Sequence, residues 1–371
     1  MSIIVIGGGL AGATAVTTLR DRGYDGPLTL VGAEPHVPYE RPPLSKGILL
    51  GSSTPDEAQV HDLEWYAAHD VDLHLGSPVD AIDRAARTVT IGSATLSYES
   101  LLLATGATPR RLPWVDELGP VHTLRTIEDS LRLRDALRPG ARVRIIGAGW
   151  IGLEVAAAAR TAGAEVTVFE SADLPLVRVL GPEVAEIFAD LHRGHGVDLR
   201  LNVTVTPEDL ADSDAIVVGI GASPTTALAE AAGLAVDNGI LVNSRLQTSD
   251  PHIWAIGDVA NHDHPRLSRR IRVEHWDTSI EQAKVAAGNL LGGTDDYERL
   301  PYFFTDQYDL GMEYFGSVGP AGYDRVEIEG STDVVAGGAF RAFWFEGDRV
   351  VAAMHANDWD HADAVRERVG A

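Results

Sequence analysis

The chain opens with an unbroken apolar run, Ile3-Ile4-Val5-Ile6, that ends in Gly7-Gly8-Gly9-Leu10-Ala11-Gly12. A short run without alternating polar positions reads as a strand buried on both faces. The small residues that follow, to about Arg20, read as a helix packed closely on that strand, and Leu28–Val31 as the next strand. The same order is then written again. Residues 142–146 (Arg-Val-Arg-Ile-Ile) run into Gly147-Ala148-Gly149-Trp150-Ile151-Gly152, an alanine-rich helix to Ala162, and the strand Glu165–Phe169. Each copy ends in an acid. Glu34 follows Gly12 by 22 residues and Glu170 follows Gly152 by 18, near the roughly 20 expected of a dinucleotide-binding βαβ unit.

A further buried strand with a glycine turn closes each copy: LLLATGATP at 101–109 and IVVGIGASP at 216–224. The repeat is therefore one of whole mononucleotide-binding units, not of a solenoid. Thr88–Ile91 and Thr95–Tyr98 read as a hairpin around Gly92-Ser93, and Asn238-Gly239 as a turn before the strand Ile240–Asn243. Beyond about Pro301 the pattern changes. Strands are expected at Asp324–Ile328, Phe340–Phe345 and Arg349–Ala353, and a final helix at about His361–Val369.

The glycines carry a chemical meaning. The first makes a tight turn, the second lets backbone approach a pyrophosphate, and the third lets the helix pack against the strand with its N-terminus toward the anion. The terminal acid accepts ribose hydroxyls. At Glu170 a carboxylate favours a free 2′-hydroxyl over a 2′-phosphate, and Ser171 and Ala172 follow where an NADP site places an arginine; Arg178 is the nearest cation downstream.

Composition narrows the chemistry. Of 371 residues, 45% are hydrophobic and 23% charged, which excludes disordered and fibrous classes. There is no cysteine, so disulfides, thiolate zinc sites, self-held iron–sulfur clusters and CxxC redox centres are excluded. Redox chemistry would need a bound organic cofactor or a partner. The net charge of −24 disfavours nucleic acid and anionic membrane. The apolar stretch Ile3–Leu19 is not read as a signal peptide, because no basic segment precedes it and four glycines interrupt it. A cytoplasmic protein is expected, as a monomer or weak dimer.

The motifs resemble the FAD-containing, NADH-dependent ferredoxin reductases of bacterial oxygenase systems, the group of putidaredoxin and rubredoxin reductases. The resemblance spans essentially the whole chain. It rests on VPYERPPLSK at 37–46, ATGATPRRLP at 104–113, LRTIEDS at 124–130, IGAGWIGLEVA at 146–156, NGILVNSRLQTSDPHIWAIGDVA at 238–260, VEHWDTSIEQA at 273–283 and PYFFTDQYDL at 301–310. It implies an α/β fold with two Rossmann-like, glutathione-reductase-like dinucleotide-binding domains and a small α+β C-terminal domain. The expected boundaries are 1–110 with 236–300 for a discontinuous FAD domain, 111–235 for an NAD domain and 301–371 for the tail.

The resemblance also implies roles. Gly7, Gly9, Ala11 and Gly12 would hold the FAD pyrophosphate, and Glu34 its ribose. Arg41 and Lys46 would be flavin-proximal cations, and Val79 would border the adenine. Thr105, Gly106 and Arg125 would contact FAD, Asp258 its ribityl hydroxyls, and Trp276 the pyrimidine edge. Gly147, Gly149, Gly152 and Glu170 would hold NADH. Glu154 would pair with Lys46 beside flavin N5. Three departures stand out: Phe304 replaces the family's second tryptophan of PWFW, Ala33 stands where the ribose acid often is, and the segment Asn202–Ala215 lacks an inserted hairpin.

Several tempting single residues have plainer readings. His262-Asp263-His264 looks like a metal cluster, yet reads as a polar surface turn before Pro265; His192 and His195 read as surface residues at a helix end. No metal site is expected. Asp258 can cap a helix and bind flavin at once, Lys46 gains a fixed reach from its Pro-Pro frame, and Trp276 could be core or flavin contact. The densest basic run, Arg266, Arg269, Arg270 and Arg272, is expected to dock an acidic iron–sulfur protein, with Arg110 and Arg111 as the alternative. Two rival functions are an NADH oxidoreductase of the same fold with a quinone or radical acceptor, and a non-catalytic NADH-sensing flavoprotein.

Overall fold

The computed structural model describes residues 1–370. The chain folds into two compact units. The first comprises Met1–Arg41, Asp56–Thr108 and Ser223–Arg299; the second comprises Pro42–Pro55, Pro109–Ala222 and Leu300–Ala371.

Among the described residues, the first unit is built on a parallel sheet in the order Ile253–Ala255, Ser100–Leu103, Ile3–Ile6, Leu28–Val31, Val71–His74. Ile3–Ile6 sits centrally and is buried at every position, which explains its lack of alternation. The helix Leu10–Asp21 packs along Trp276–Leu290 through small residues, with Ala11, Ala15, Ala283, Ala286 and Ala287 in one core. A meander of Ala81–Asp83, Thr88–Ile91 and Ala94–Ser97 lies in the same unit.

The second unit repeats the plan. Its parallel sheet runs Asp198–Arg200, Glu165–Phe169, Arg142–Ile146, Ala215–Val218, Val121–His122. In both sheets the order reverses beside the strand that feeds the glycine loop. The crevice outside the carboxyl end of such a strand is where open α/β sheets take ligands.

The C-terminal residues form an antiparallel sheet in the order Tyr302–Gln307, Leu310–Gly316, Arg349–Ala356, Phe340–Glu346, Arg325–Gly330, followed by the short helix Ala362–Glu367. This sheet shares a core with the second parallel sheet. Met312, Tyr314, Trp344 and Met354 lie in the same cluster as Val143, Leu153 and Phe188, and the Trp344 indole donates to the Leu180 carbonyl at 3.0 Å. Residues 42–55, which the sequence grouped with the first domain, also belong to the second unit.

Two sequence readings are corrected here. His262 and His264 do not lie in a surface turn. They belong to the strand Ala260–His264, paired with Ile240–Val242 and Arg269–Ile271, and are 0% and 1% exposed. His192 is likewise buried in the last turn of the helix Val177–Gly194. Among the described residues no group of three or more His, Cys, Asp or Glu side chains could hold a metal. No described helix is long and apolar enough to cross a membrane.

Candidate functional site

In the first unit, Gly7 has φ +125°, and a Cβ there would stand 2.0 Å from the Ala104 carbonyl oxygen. A Cβ on Gly12 would meet the Gly7 oxygen at 2.0 Å. Both positions require glycine for the backbone to close on itself. Gly9 is different: nothing lies within 4 Å of its Cβ position. Gly9 is the N-cap of Leu10–Asp21 and has no side chain with which to occupy the helix N-terminus. The loop is thus tight on its protein side and open at the amide end of the helix, which suits a pyrophosphate.

The neighbouring turns converge on that loop. A Cβ on Gly257 (φ +72°) would lie 3.2 Å from that of Ala11, so the turn Gly257–Val259 that carries Asp258 abuts the first helical turn. The Asp258 carbonyl accepts from Arg272 at 3.1 Å. Thr105 Oγ1 donates to the Thr225 carbonyl at 2.8 Å, and the Thr225 amide to the Gly106 carbonyl at 2.9 Å. Glu34 receives two donors, Arg41 Nη2 at 2.8 Å and the Tyr39 hydroxyl. Val79 packs against the first unit's core, and Trp276 opens the helix Trp276–Leu290.

The second unit holds the matching loop. Gly147 has φ +100°, and its Cβ would stand 2.5 Å from the Gly219 oxygen; that of Gly152 would meet the Gly147 oxygen at 2.1 Å. Gly149 caps Trp150–Thr161, and the nearest atom to its Cβ position is 4.0 Å away. Glu170 reaches back to this loop: Oε2 accepts from the Ala148 amide at 2.7 Å and Oε1 from the Ala172 amide at 2.9 Å. Sequence reasoning missed a cation beside it. Arg200 pairs in register with Phe169, and its guanidinium lies 5.4 Å from that ring. It is already bound to Asp198 at 2.9 Å, with Asp209 at 3.7 Å. Only the strand register reveals this neighbour.

Also within the second unit, Lys46 Nζ lies 2.8 Å from Glu154 Oε2. Lys46 follows the 3₁₀ turn Pro42–Ser45, where proline fixes the approach; Glu154 sits on Trp150–Thr161 and is 5% exposed. The carboxylate also accepts from Ser45 Oγ at 2.5 Å and Thr305 Oγ1 at 2.6 Å. Lys46 Nζ stands 5.4 Å from the Phe304 ring centroid, within cation–π range. Burial pushes the Asp306 carboxyl up, against the pull of Lys46. Arg125 precedes the helix Ile127–Ala136, and its amide donates to Asp129 at 3.0 Å.

The basic run divides. Arg270 donates to the carbonyls of Val242 and Asn261, both at 2.8 Å, and to Asp263 at 2.7 Å. The Arg272 side chain is 9% exposed and paired with Glu274. Arg270 is still exposed, as is Arg266, and Arg269 is half-buried.

Residues 1–288 match the family described as pyridine nucleotide-disulphide oxidoreductase. The chain is 40% identical over an alignment of 390 positions to the ferredoxin–NAD(+) reductase component of an anthranilate 1,2-dioxygenase system from Burkholderia cepacia, covering 99% of this chain and 94% of that one. It is 39% identical over 374 residues to rhodocoxin reductase of Rhodococcus erythropolis, covering 96% and 86%. Among solved structures, the reductase chain of a covalent putidaredoxin reductase–putidaredoxin complex superposes with a TM-score of 0.93 at 36% identity, covering 100% of this chain and 93% of that one.

Proposed function

The chain belongs to the pyridine nucleotide-disulphide oxidoreductase family, and we propose that it is an FAD-dependent reductase that passes electrons from NADH to a ferredoxin-type iron–sulfur protein serving an oxygenase. The observation that carries this reading is the duplicated loop: two glycine-lined helix N-termini, each with an acid at the end of the next strand, in a chain without cysteine. Without a thiol of its own the chain cannot do the disulfide chemistry in the family's description, so electrons must leave to an external acceptor. The relatives' names supply that acceptor's class.

When bound, FAD supplies the link between a two-electron hydride donor and a one-electron acceptor. The protein supplies position and charge. Gly9 and Ala11 would present amides to the pyrophosphate, while Gly7, whose own amide goes to the Val31 carbonyl at 2.8 Å, and Gly12 close the loop behind them. Each carboxylate oxygen can accept more than one donor, so Glu34 can take ribose hydroxyls while it holds Arg41. Asp258, Thr105, Gly106, Val79, Arg125 and Trp276 complete the FAD site. The second loop takes NADH, with Glu170 on its adenosine ribose. Glu170 is fixed at the loop by two amides, and Arg200 beside it is paired with aspartates, so a 2′-phosphate would face a carboxylate. Lys46, held by Glu154 at 2.8 Å and lying 5.4 Å from the Phe304 ring, would be the flavin-proximal cation.

Docking of the iron–sulfur partner would use the accessible part of the basic run, Arg266 with Arg269 and Arg270, because the Arg272 side chain is only 9% exposed and is paired with Glu274. Changing Arg266 and Arg269 to Glu should raise KM for that partner and leave NADH oxidation by ferricyanide alone. The first experiment is identification of the cofactor. The purified protein should be yellow and release FAD on heating. Release of FMN, or no flavin after reconstitution, would overturn the reading.

A further inference from the structure

The Lys46–Glu154 pair is the end of a longer buried chain. Thr305 Oγ1, which bonds Glu154 Oε1, lies 3.2 Å from Gln307 Nε2. Gln307 Oε1 lies 2.8 Å from His192 Nε2, and His192 Nδ1 lies 3.3 Å from the Tyr308 hydroxyl. Thr305, Gln307 and His192 are all 0% exposed. Thr305 and Gln307 alternate along the strand Tyr302–Gln307 and so share a face. Two side chains reach them from separate helices, Glu154 from Trp150–Thr161 and His192 from Val177–Gly194.

The direction of the chain is set at one end. A carboxylate only accepts, so the single Thr305 proton goes to Glu154. Thr305 Oγ1 must then accept from Gln307, which makes the amide nitrogen face Thr305 and the amide oxygen face His192. His192 is therefore the Nε2–H tautomer, and its Nδ1 accepts from Tyr308. Were Gln307 reversed, its oxygen would draw the Thr305 proton away and leave a buried carboxylate oxygen without that donor. Burial pushes the His192 imidazole down to about 4, so it is neutral at ordinary pH and the tautomer holds. A buried polar chain costs stability unless every member is satisfied in one arrangement. This one has a single arrangement that satisfies its acceptors.

We propose that Gln307 and His192 are positioning residues for the hydride step, acting through Thr305 to hold the Glu154 carboxylate, and with it Lys46, in one orientation. This rests on the assignment of Lys46 and Glu154 to the flavin site. The chain spans three elements of one unit, so it fixes the carboxylate more rigidly than Ser45 and Lys46 can from the 42–55 segment alone.

The test is a double-mutant cycle. Gln307→Met keeps the volume but removes both hydrogen bonds. It should slow reduction of the bound flavin by NADH about tenfold, as expected for loss of order in a hydrogen bond to a charged group, with FAD content and KM for NADH unchanged. Thr305→Val should do at least as much. In the Thr305→Val background, Gln307→Met should add less than about twofold, because its path to Glu154 is already cut. A wild-type rate in Gln307→Met, or losses that multiply in the double variant, would refute the proposal. A second readout needs no variant: nitrogen-15 NMR of histidine-labelled protein should show His192 as the Nε2–H tautomer, without titration over roughly pH 5.5 to 8. The Nδ1–H tautomer would reverse the chain and refute it. A wild-type protein whose flavin NADH does not reduce would instead overturn the assigned function, and the tautomer result would stand apart from it.

Discussion

Lys46 Nζ and Glu154 Oε2 meet at 2.8 Å across 108 residues of sequence. The pair is asymmetric in its surroundings: the Glu154 side chain is 5% exposed and the Lys46 side chain 21%. The carboxylate is the buried anchor, and the ammonium is the end that can meet a ligand. A fixed cation stabilises negative charge that develops beside it. Lys46→Met should therefore slow flavin reduction by NADH about tenfold while FAD stays bound. An unchanged stopped-flow rate would remove Lys46 from the mechanism.

The two kinds of glycine in the first loop should separate in behaviour. Gly12→Ala puts a Cβ 2.0 Å from the Gly7 oxygen and should prevent folding of the unit. Gly9→Ala meets nothing within 4 Å and has an ordinary backbone, φ −99°. It should fold with its melting temperature nearly unchanged and lose FAD affinity at least about tenfold, since the added methyl stands where the pyrophosphate comes closest. Retention of FAD at wild-type affinity by Gly9→Ala would place the pyrophosphate elsewhere.

Donor specificity follows from Glu170. NADH should exceed NADPH in kcat/KM by roughly a hundredfold, which corresponds to about 3 kcal/mol for a phosphate facing a carboxylate. Glu170→Ala combined with Asp198→Ala removes the nearer of the two aspartates on Arg200 and should bring the two donors within about tenfold of each other. Equal values in the wild type would show that the carboxylate does not read the ribose.

Acid stability depends on buried histidines, and two of them are held down furthest. Burial holds His192 down to about 4 and His262 down to about 3, against about 6.5 when unfolded. Below pH 6.5 the unfolded chain takes up protons that the native state refuses, so stability falls as pH falls, and each group's loss continues down to its native value. Between pH 6.5 and 5 each should cost about 2 kcal/mol. His192→Gln, neutral throughout, should flatten the decline in denaturant midpoint over that interval. A decline of undiminished slope would mean that His192 is protonated in the native state.

The duplicated plan was legible because its signals are local. Ile3–Ile6, Leu28–Val31 and Glu165–Phe169 take their sequence-expected bounds, since apolar runs between glycine turns fix strand and loop together. The pairing of Lys46 with Glu154 came from resemblance to a family, not from spacing. What escaped depends on tertiary partners. Ala260–His264 is polar by letter and becomes a buried strand only through Ile240–Val242 and Arg269–Ile271. Arg270 reads as surface charge until its carbonyl acceptors are known. Thr305 and Gln307 lie where no strand was expected; the strand Tyr302–Gln307 puts them on one face, and nothing in the sequence shows His192 behind them.

The central claim is that electrons from NADH leave through this protein to an iron–sulfur partner. The most direct measurement is anaerobic turnover with NADH and a ferredoxin of an oxygenase system, read as reduction of cytochrome c, beside a quinone at matched concentration. The account predicts NADH-dependent turnover faster than about one per second with the ferredoxin, and a kcat/KM well above that for the quinone. Turnover with the quinone alone, or none with either acceptor while NADH still binds, would contradict it.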